Sequence, residues 1–93
     1  MNRRKLPLGD RNRVGKRVTQ ARQAKGMRQT ELLARLQVQG IEISLPALSL
    51  LEGQKRPVSD LELVALSEAL GVSVLWLLGL PDAPEDAEGP KTK

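Results

Sequence analysis

The chain has no cysteine and no histidine among its 93 residues, and its aromatic content is a single tryptophan, Trp76. Without cysteine there is no disulfide framework and no thiolate zinc site. Without histidine the commonest metal ligand and the usual general base are both missing. No apolar run approaches the length needed to cross a membrane. The first ten residues carry charges but no long apolar stretch, so they do not read as a signal peptide. No internal repeat is visible. The remaining routes to catalysis are paired carboxylates or a Ser–Lys arrangement. Glu52 has a structural role below, while Asp60 and Glu62 serve a helix start. Gly9, Gly15 and Gly26 are too scattered for a phosphate loop or a dinucleotide fingerprint. The expectation is one soluble, cytoplasmic domain with a modest core, no cofactor, no metal, no small-molecule substrate and no enzymatic activity.

What is present is charge, unevenly spread. Residues 1–40 hold eleven Lys/Arg against Asp10 and Glu31, a net of +9. Residues 41–93 hold four Lys/Arg against nine acids, a net of −5. A one-sided basic field attracts polyanions. A solvated helix face that keeps the protein soluble would produce the same imbalance.

Residues 1–9 form a basic arm, with Arg3-Arg4-Lys5 followed by Leu6-Pro7-Leu8-Gly9. Such an arm lies along phosphates or in a minor groove, or is simply a disordered tail. Asp10 is the expected N-cap of a first helix running to Lys25 and stopped by Gly26. Val14, Val18 and Ala21 fall on one stripe of it, and Met27 tucks the following turn inward. A second helix is expected over Gln29–Gln37, with Leu32, Leu33 and Leu36 on its apolar face. Arg28 is a weak cap for it, although Glu31 suits the positive end of the helix dipole. Gly40 ends that helix, and the link through Ile41 and Ile43 is longer than the three or four residues of a tight helix–turn–helix connection. The third helix, Leu45–Gly53, has Ser44 as N-cap and Pro46 in its first turn, and is apolar nearly all round. Ser59-x-x-Glu62 is a capping box for a fourth helix over Asp60–Leu70, with Leu63, Leu66 and Leu70 as its stripe. Ser73 caps a fifth, Val74–Leu78, ended by Gly79. The segment 81–93 is acidic and Pro-rich and is expected to be disordered. The pattern is all-α, with five short helices over residues 10–80 and no convincing strand.

Several blocks along this pattern are similar to one family. They are Gly15-Lys16-Arg17-Val18 with Ala21-Arg22 and Lys25-Gly26-Met27, then Gln29-Thr30-Glu31-Leu32, then Ser44 with Ala47-Leu48-Ser49 and Leu51-Glu52. Gln54–Leu66 and Ala69–Gly79, with Trp76 inside it, complete the set. Together they resemble the Cro/C1-type (XRE) helix-turn-helix family over Arg13–Leu80. The link Gln37–Ile43 resembles that of a sub-group with extra residues between its second and third helices. The resemblance implies a compact, five-helix, lambda-repressor-like DNA-binding domain. It implies a homodimer on operator DNA, repression of transcription, and a place at the nucleoid of a prokaryote or phage host. It places Gln29 on a phosphate at the start of the second helix, flanked by Arg28 and Thr30, with Lys55 and Arg56 on the next phosphates. Lys55 and Arg56 as a plain exposed loop pair is the competing view. It pairs Arg22 with Glu52 as a structural salt bridge, and assigns Leu75, Trp76 and Leu80 to a dimer surface. Trp76 as a purely core residue fits equally well.

The chain departs from the family at the third helix. The family reads bases with polar side chains at positions that correspond here to Leu45, Pro46 and Leu50. The candidate base-facing set is therefore Ser44, Leu45, Ala47, Ser49 and Leu50, of which only the serines hydrogen-bond, and serine discriminates poorly between bases. Leu33 also stands where a small residue is expected, and Leu75 where an acid is frequent. Three explanations compete. The helix takes affinity from phosphates and specificity from thymine methyls and DNA shape. Alternatively, it is an apolar face for a protein partner or for self-association. Or Leu45 and Leu50 pack inward because the longer link rotates the helix.

Overall fold

The computed structural model describes residues 12–81. The expected basic arm with Arg3, Arg4 and Lys5, the Asp10 cap and the segment beyond Pro81 lie outside the described residues. Five α-helices follow one another: α1 (Gly15–Ala24), α2 (Gln29–Val38), α3 (Leu45–Glu52), α4 (Asp60–Leu70) and α5 (Val74–Leu78). Among the described residues there is no strand, and no helix is long and apolar enough to cross a membrane. The domain is all-α.

The helix starts follow from short polar side chains that reach back to free N–H groups. Ser44 Oγ accepts from Ala47 N–H at 3.2 Å, and Ser73 Oγ from Trp76 N–H at 2.9 Å. Ser59 and Glu62 form the full capping box, with Ser59 Oγ taking Glu62 N–H and Glu62 Oε1 taking Ser59 N–H. At α2 half of a box forms: Glu31 Oε1 accepts Arg28 N–H at 2.9 Å, because the Arg28 side chain has no acceptor to return.

α1 differs from the sequence expectation. It begins at Gly15, and its leading N–H groups are taken by Asn12, whose Oδ1 accepts from Val14 N–H at 3.1 Å and Gly15 N–H at 2.8 Å. At its other end Gly26 adopts a left-handed conformation, φ 66°. Met27 N–H then turns back to Arg22 O, and the Met27 side chain is buried. α2 runs one residue further than expected, to Val38, so the link to α3 is residues 39–44.

The core is aliphatic. Val14 just ahead of α1 and Val18 and Ala21 within it meet Leu32 and Leu36 of α2, Leu48 and Leu51 of α3, Leu66 and Leu70 of α4, and Leu77 of α5. Ile43 is buried and Ile41 half-buried, so the link is pinned to the core rather than looped away from it. Two side chains stitch α2 and its C-cap to the backbone of α4: Arg35 donates to Ala69 O at 3.2 Å and Gln39 to Ala65 O at 3.0 Å.

Candidate nucleic-acid interface

α3 is held by three attachments, and these decide which of its residues face outward. The first is apolar. Leu48 and Leu51 are fully buried. Leu45 and Leu50 keep 36% and 46% of their surface exposed, so inward packing of these two leucines is excluded. The six-residue link, anchored by Ile43, leaves the inward positions to Leu48 and Leu51.

The second attachment is a buried carboxylate. Arg22 reaches Glu52 with two nitrogens, Nε to Oε2 at 2.8 Å and Nη2 to Oε1 at 3.0 Å. Only 13% and 6% of the two side chains remain exposed. Glu52 Oε1 also accepts from Thr19 Oγ1 at 3.2 Å and Gln29 Nε2 at 3.1 Å. Arg22 spends its remaining terminal nitrogen on Met27 O at 2.9 Å. One carboxylate thereby joins α1, α2 and α3, with the multiple donors that a desolvated charge requires.

The third attachment was not visible from periodicity. Asn12 is 1% exposed. Besides capping α1, its Nδ2 donates to Leu51 O and to Arg56 O, each at 2.8 Å. Gln54 Nε2 returns a bond to Asn12 O at 2.9 Å. Asn12 thus clips the start of α1 to the end of α3 and to the loop that carries Lys55 and Arg56. Gln54 has φ 62°, the one non-glycine residue with positive φ among those described, and its side-chain bond to Asn12 helps hold that conformation. Asn12 precedes any helix pattern, and the signal that could have found it is an asparagine two and three residues ahead of the first helical N–H groups.

These attachments alter several expected roles. Gln29 is only half exposed and is committed at both ends, donating to Glu52 and accepting from Ser49 Oγ at 3.2 Å. Its side chain is therefore a strut between α2 and α3. The N–H groups of Gln29 and Thr30 lie at the helix start, where the helix provides no partner. Arg56 is also engaged, Nη1 to Glu62 Oε1 at 3.2 Å and Nη2 to Oε2 at 3.0 Å, and is half-buried where a free phosphate ligand was expected. Burial works to raise the Glu62 pKa, but hydrogen bonds from Arg56 and Ser59 and the Arg56 charge outweigh it and hold the carboxyl below its ordinary 4.5. Lys55, Arg28 and Thr30 remain exposed. Ala47 is half-buried, so it is the least available of the candidate base-facing residues. Of the serines, Ser44 is occupied as a cap and Ser49 by Gln29.

At the other side of the domain Leu75 is half-buried, Leu80 is 43% exposed and Trp76 packs against the core. The Arg17 guanidinium sits over the Trp76 ring, 4.8 Å from its centroid. An open hollow beside it is lined by Ala21, Ala24, Lys25 and Val72. Among the described residues no group of three or more acidic side chains could hold a metal ion.

No family model, curated protein or solved structure matches the chain.

Proposed function

We propose that the protein binds duplex DNA as a homodimer, places α3 in the major groove, and regulates transcription, acting as a repressor. The observation that carries the proposal is the way Glu52 and Gln29 lock α3 beside the start of α2. That lock sets the exposed Leu45–Leu50 face between Arg28 and Thr30 at one edge and Lys55 at the other. An exposed cation on each flank, with the helix-start N–H groups of α2 beside Arg28, suits the two phosphate strands that border a groove. The excess of Lys/Arg in residues 1–40 adds a long-range field of the same sign. Lys55 is the foremost phosphate ligand, and Arg56, tied to Glu62, contributes mainly by shaping the loop. Leu75, Trp76 and Leu80 supply the surface for a second copy. The setting is the nucleoid of a prokaryotic or phage-infected cell.

A second reading has one observation in its favour. Two leucines of α3 are exposed without a polar reader beside them, as on a helix that docks to a protein. Titration against duplex DNA at several salt concentrations separates the two. The DNA reading requires binding that weakens steeply with salt. An affinity that ignores salt and the charge of Lys55 would overturn it.

A further inference from the structure

We infer that the outward face of α3 reads the pattern of pyrimidine 5-methyl groups in a major groove. It would separate thymine from uracil and unmethylated cytosine, but would treat thymine and 5-methylcytosine alike. The inference rests on the DNA-binding proposal above and names what α3 recognises there.

The polar side chains of α3 and its cap are committed within the protein. Ser44 Oγ accepts Ala47 N–H, Ser49 donates its proton to Gln29, and Glu52 is enclosed by Arg22, Thr19 and Gln29. A proton on Ser44 and lone pairs on Ser49 remain, and neither makes the two-point contact that tells one base edge from another. The rest of the outward face is hydrocarbon: Leu45, Pro46 and Leu50. In a major groove the hydrocarbon feature is the methyl on C5 of thymine. 5-Methylcytosine carries the same methyl on the same carbon. The two bases differ at position 4, acceptor against donor, and only a hydrogen-bonding side chain senses that difference.

Charge and size favour DNA as the occupant of this face. Exposed Arg28 adjoins Gln29, which is bonded to Ser49 of α3, and exposed Lys55 donates its N–H to Leu50 O, so a cation stands beside each of these α3 residues, matching phosphate rather than the apolar rim of a helix-binding groove. An α-helix with its side chains is about 10–12 Å across, which the roughly 12 Å width of the major groove admits. A stable protein interface needs about 800 Å² from each partner, far more than two half-exposed leucines and a proline provide.

The test uses the full 93-residue chain. Bound duplexes are selected from a random pool, and each pyrimidine of the selected site is then rebuilt as thymine, uracil, cytosine or 5-methylcytosine with its proper partner base. Thymine and 5-methylcytosine should bind equally within about twofold, and uracil and cytosine about fourfold more weakly for each methyl lost, as expected for one buried methyl-sized group. Leu50→Ala and Leu45→Ala should collapse the four affinities toward one value, with an unchanged thermal melt to show that the fold is intact. Affinities that group thymine with uracil and cytosine with 5-methylcytosine would overturn the inference and leave the DNA-binding proposal standing, as would four equal affinities. Absence of salt-dependent duplex binding would overturn both, and loss of self-association in Leu45→Gln/Leu50→Gln would then mark α3 as a protein contact.

Discussion

Gly15 lies so close to α3 that a Cβ on it would stand 2.2 Å from the carbonyl oxygen of Leu51 and 3.1 Å from that of Glu52. α1 therefore approaches α3 backbone to backbone, and this near contact sets the height at which α3 rides on the domain. Gly15→Ala should destabilise the fold by at least about 2 kcal/mol, since the overlap is with backbone and the gain in helix propensity recovers only about 1 kcal/mol. Urea unfolding measures it, and a neutral or stabilised variant would show that α3 can shift outward freely.

The Arg22–Glu52 pair should behave as a buried ion pair. Arg22→Met or Glu52→Leu alone should cost about 3 kcal/mol, because each leaves a charge without its partner. The double variant should recover a large part of that loss. A double-mutant cycle reads the coupling, and strictly additive single effects would rule out a direct pair.

Asn12 makes four hydrogen bonds through its side chain, two accepted and two donated. Asn12→Ala should lower stability by about 2 kcal/mol, combining a lost cap with the loss of the donor to Arg56 O and of the second donor to Leu51 O, which keeps Gln54 N–H. Asn12→Asp keeps the acceptors for Val14 and Gly15 but turns an oxygen toward Leu51 O and Arg56 O. At neutral pH it should be no more stable than the alanine variant. Chemical denaturation of the three proteins side by side decides this.

Glu62 links the loop after α3 to pH. Its folded-state pKa is lowered, so the stability it contributes is fully present above the ordinary value of 4.5 and is lost as pH falls through the lower folded value. Wild type should lose stability over that acid range more steeply than Glu62→Gln, which should be less stable at neutral pH. Parallel pH profiles from the two proteins would contradict the Arg56–Glu62 linkage.

Lys55 and Arg56 should separate by their effects. Lys55→Ala should leave the melting temperature nearly unchanged and reduce the salt slope of DNA binding by about one unit. Arg56→Ala should lower stability as well, since it strands Glu62 and loosens the loop that Asn12 holds. Equal, purely electrostatic effects from both would return Arg56 to a free phosphate ligand.

Much of the fold was legible in local chemistry. Ser44, Ser59 and Ser73 are short hydroxyls placed one residue ahead of helical runs, and each captures an N–H where it was expected. Leu32, Leu36, Leu66 and Leu70 recur at helical spacing, and all are buried. The Arg22–Glu52 pair came from the family resemblance rather than from spacing, because nothing local connects residues thirty positions apart. α1 starts at Gly15 rather than directly after Asp10: Asn12 is as good a helix-start residue, and its Oδ1 takes the N–H groups of Val14 and Gly15 while its Nδ2 donates to Leu51 O and Arg56 O.

The sequence by itself determined five helices, their boundaries to within a few residues and an apolar third helix beside a basic half, since capping and periodicity act over one or two turns. The tertiary structure alone decided which side of that apolar helix faces out. Leu45 and Leu50 are chemically the same as Leu48 and Leu51. They are separated only by where Gly15, Glu52 and Asn12 fix α3 against α1 and α2. The same long-range bonds engaged Gln29, Ser49 and Arg56, because a polar side chain is spent on whichever partner the fold brings within reach.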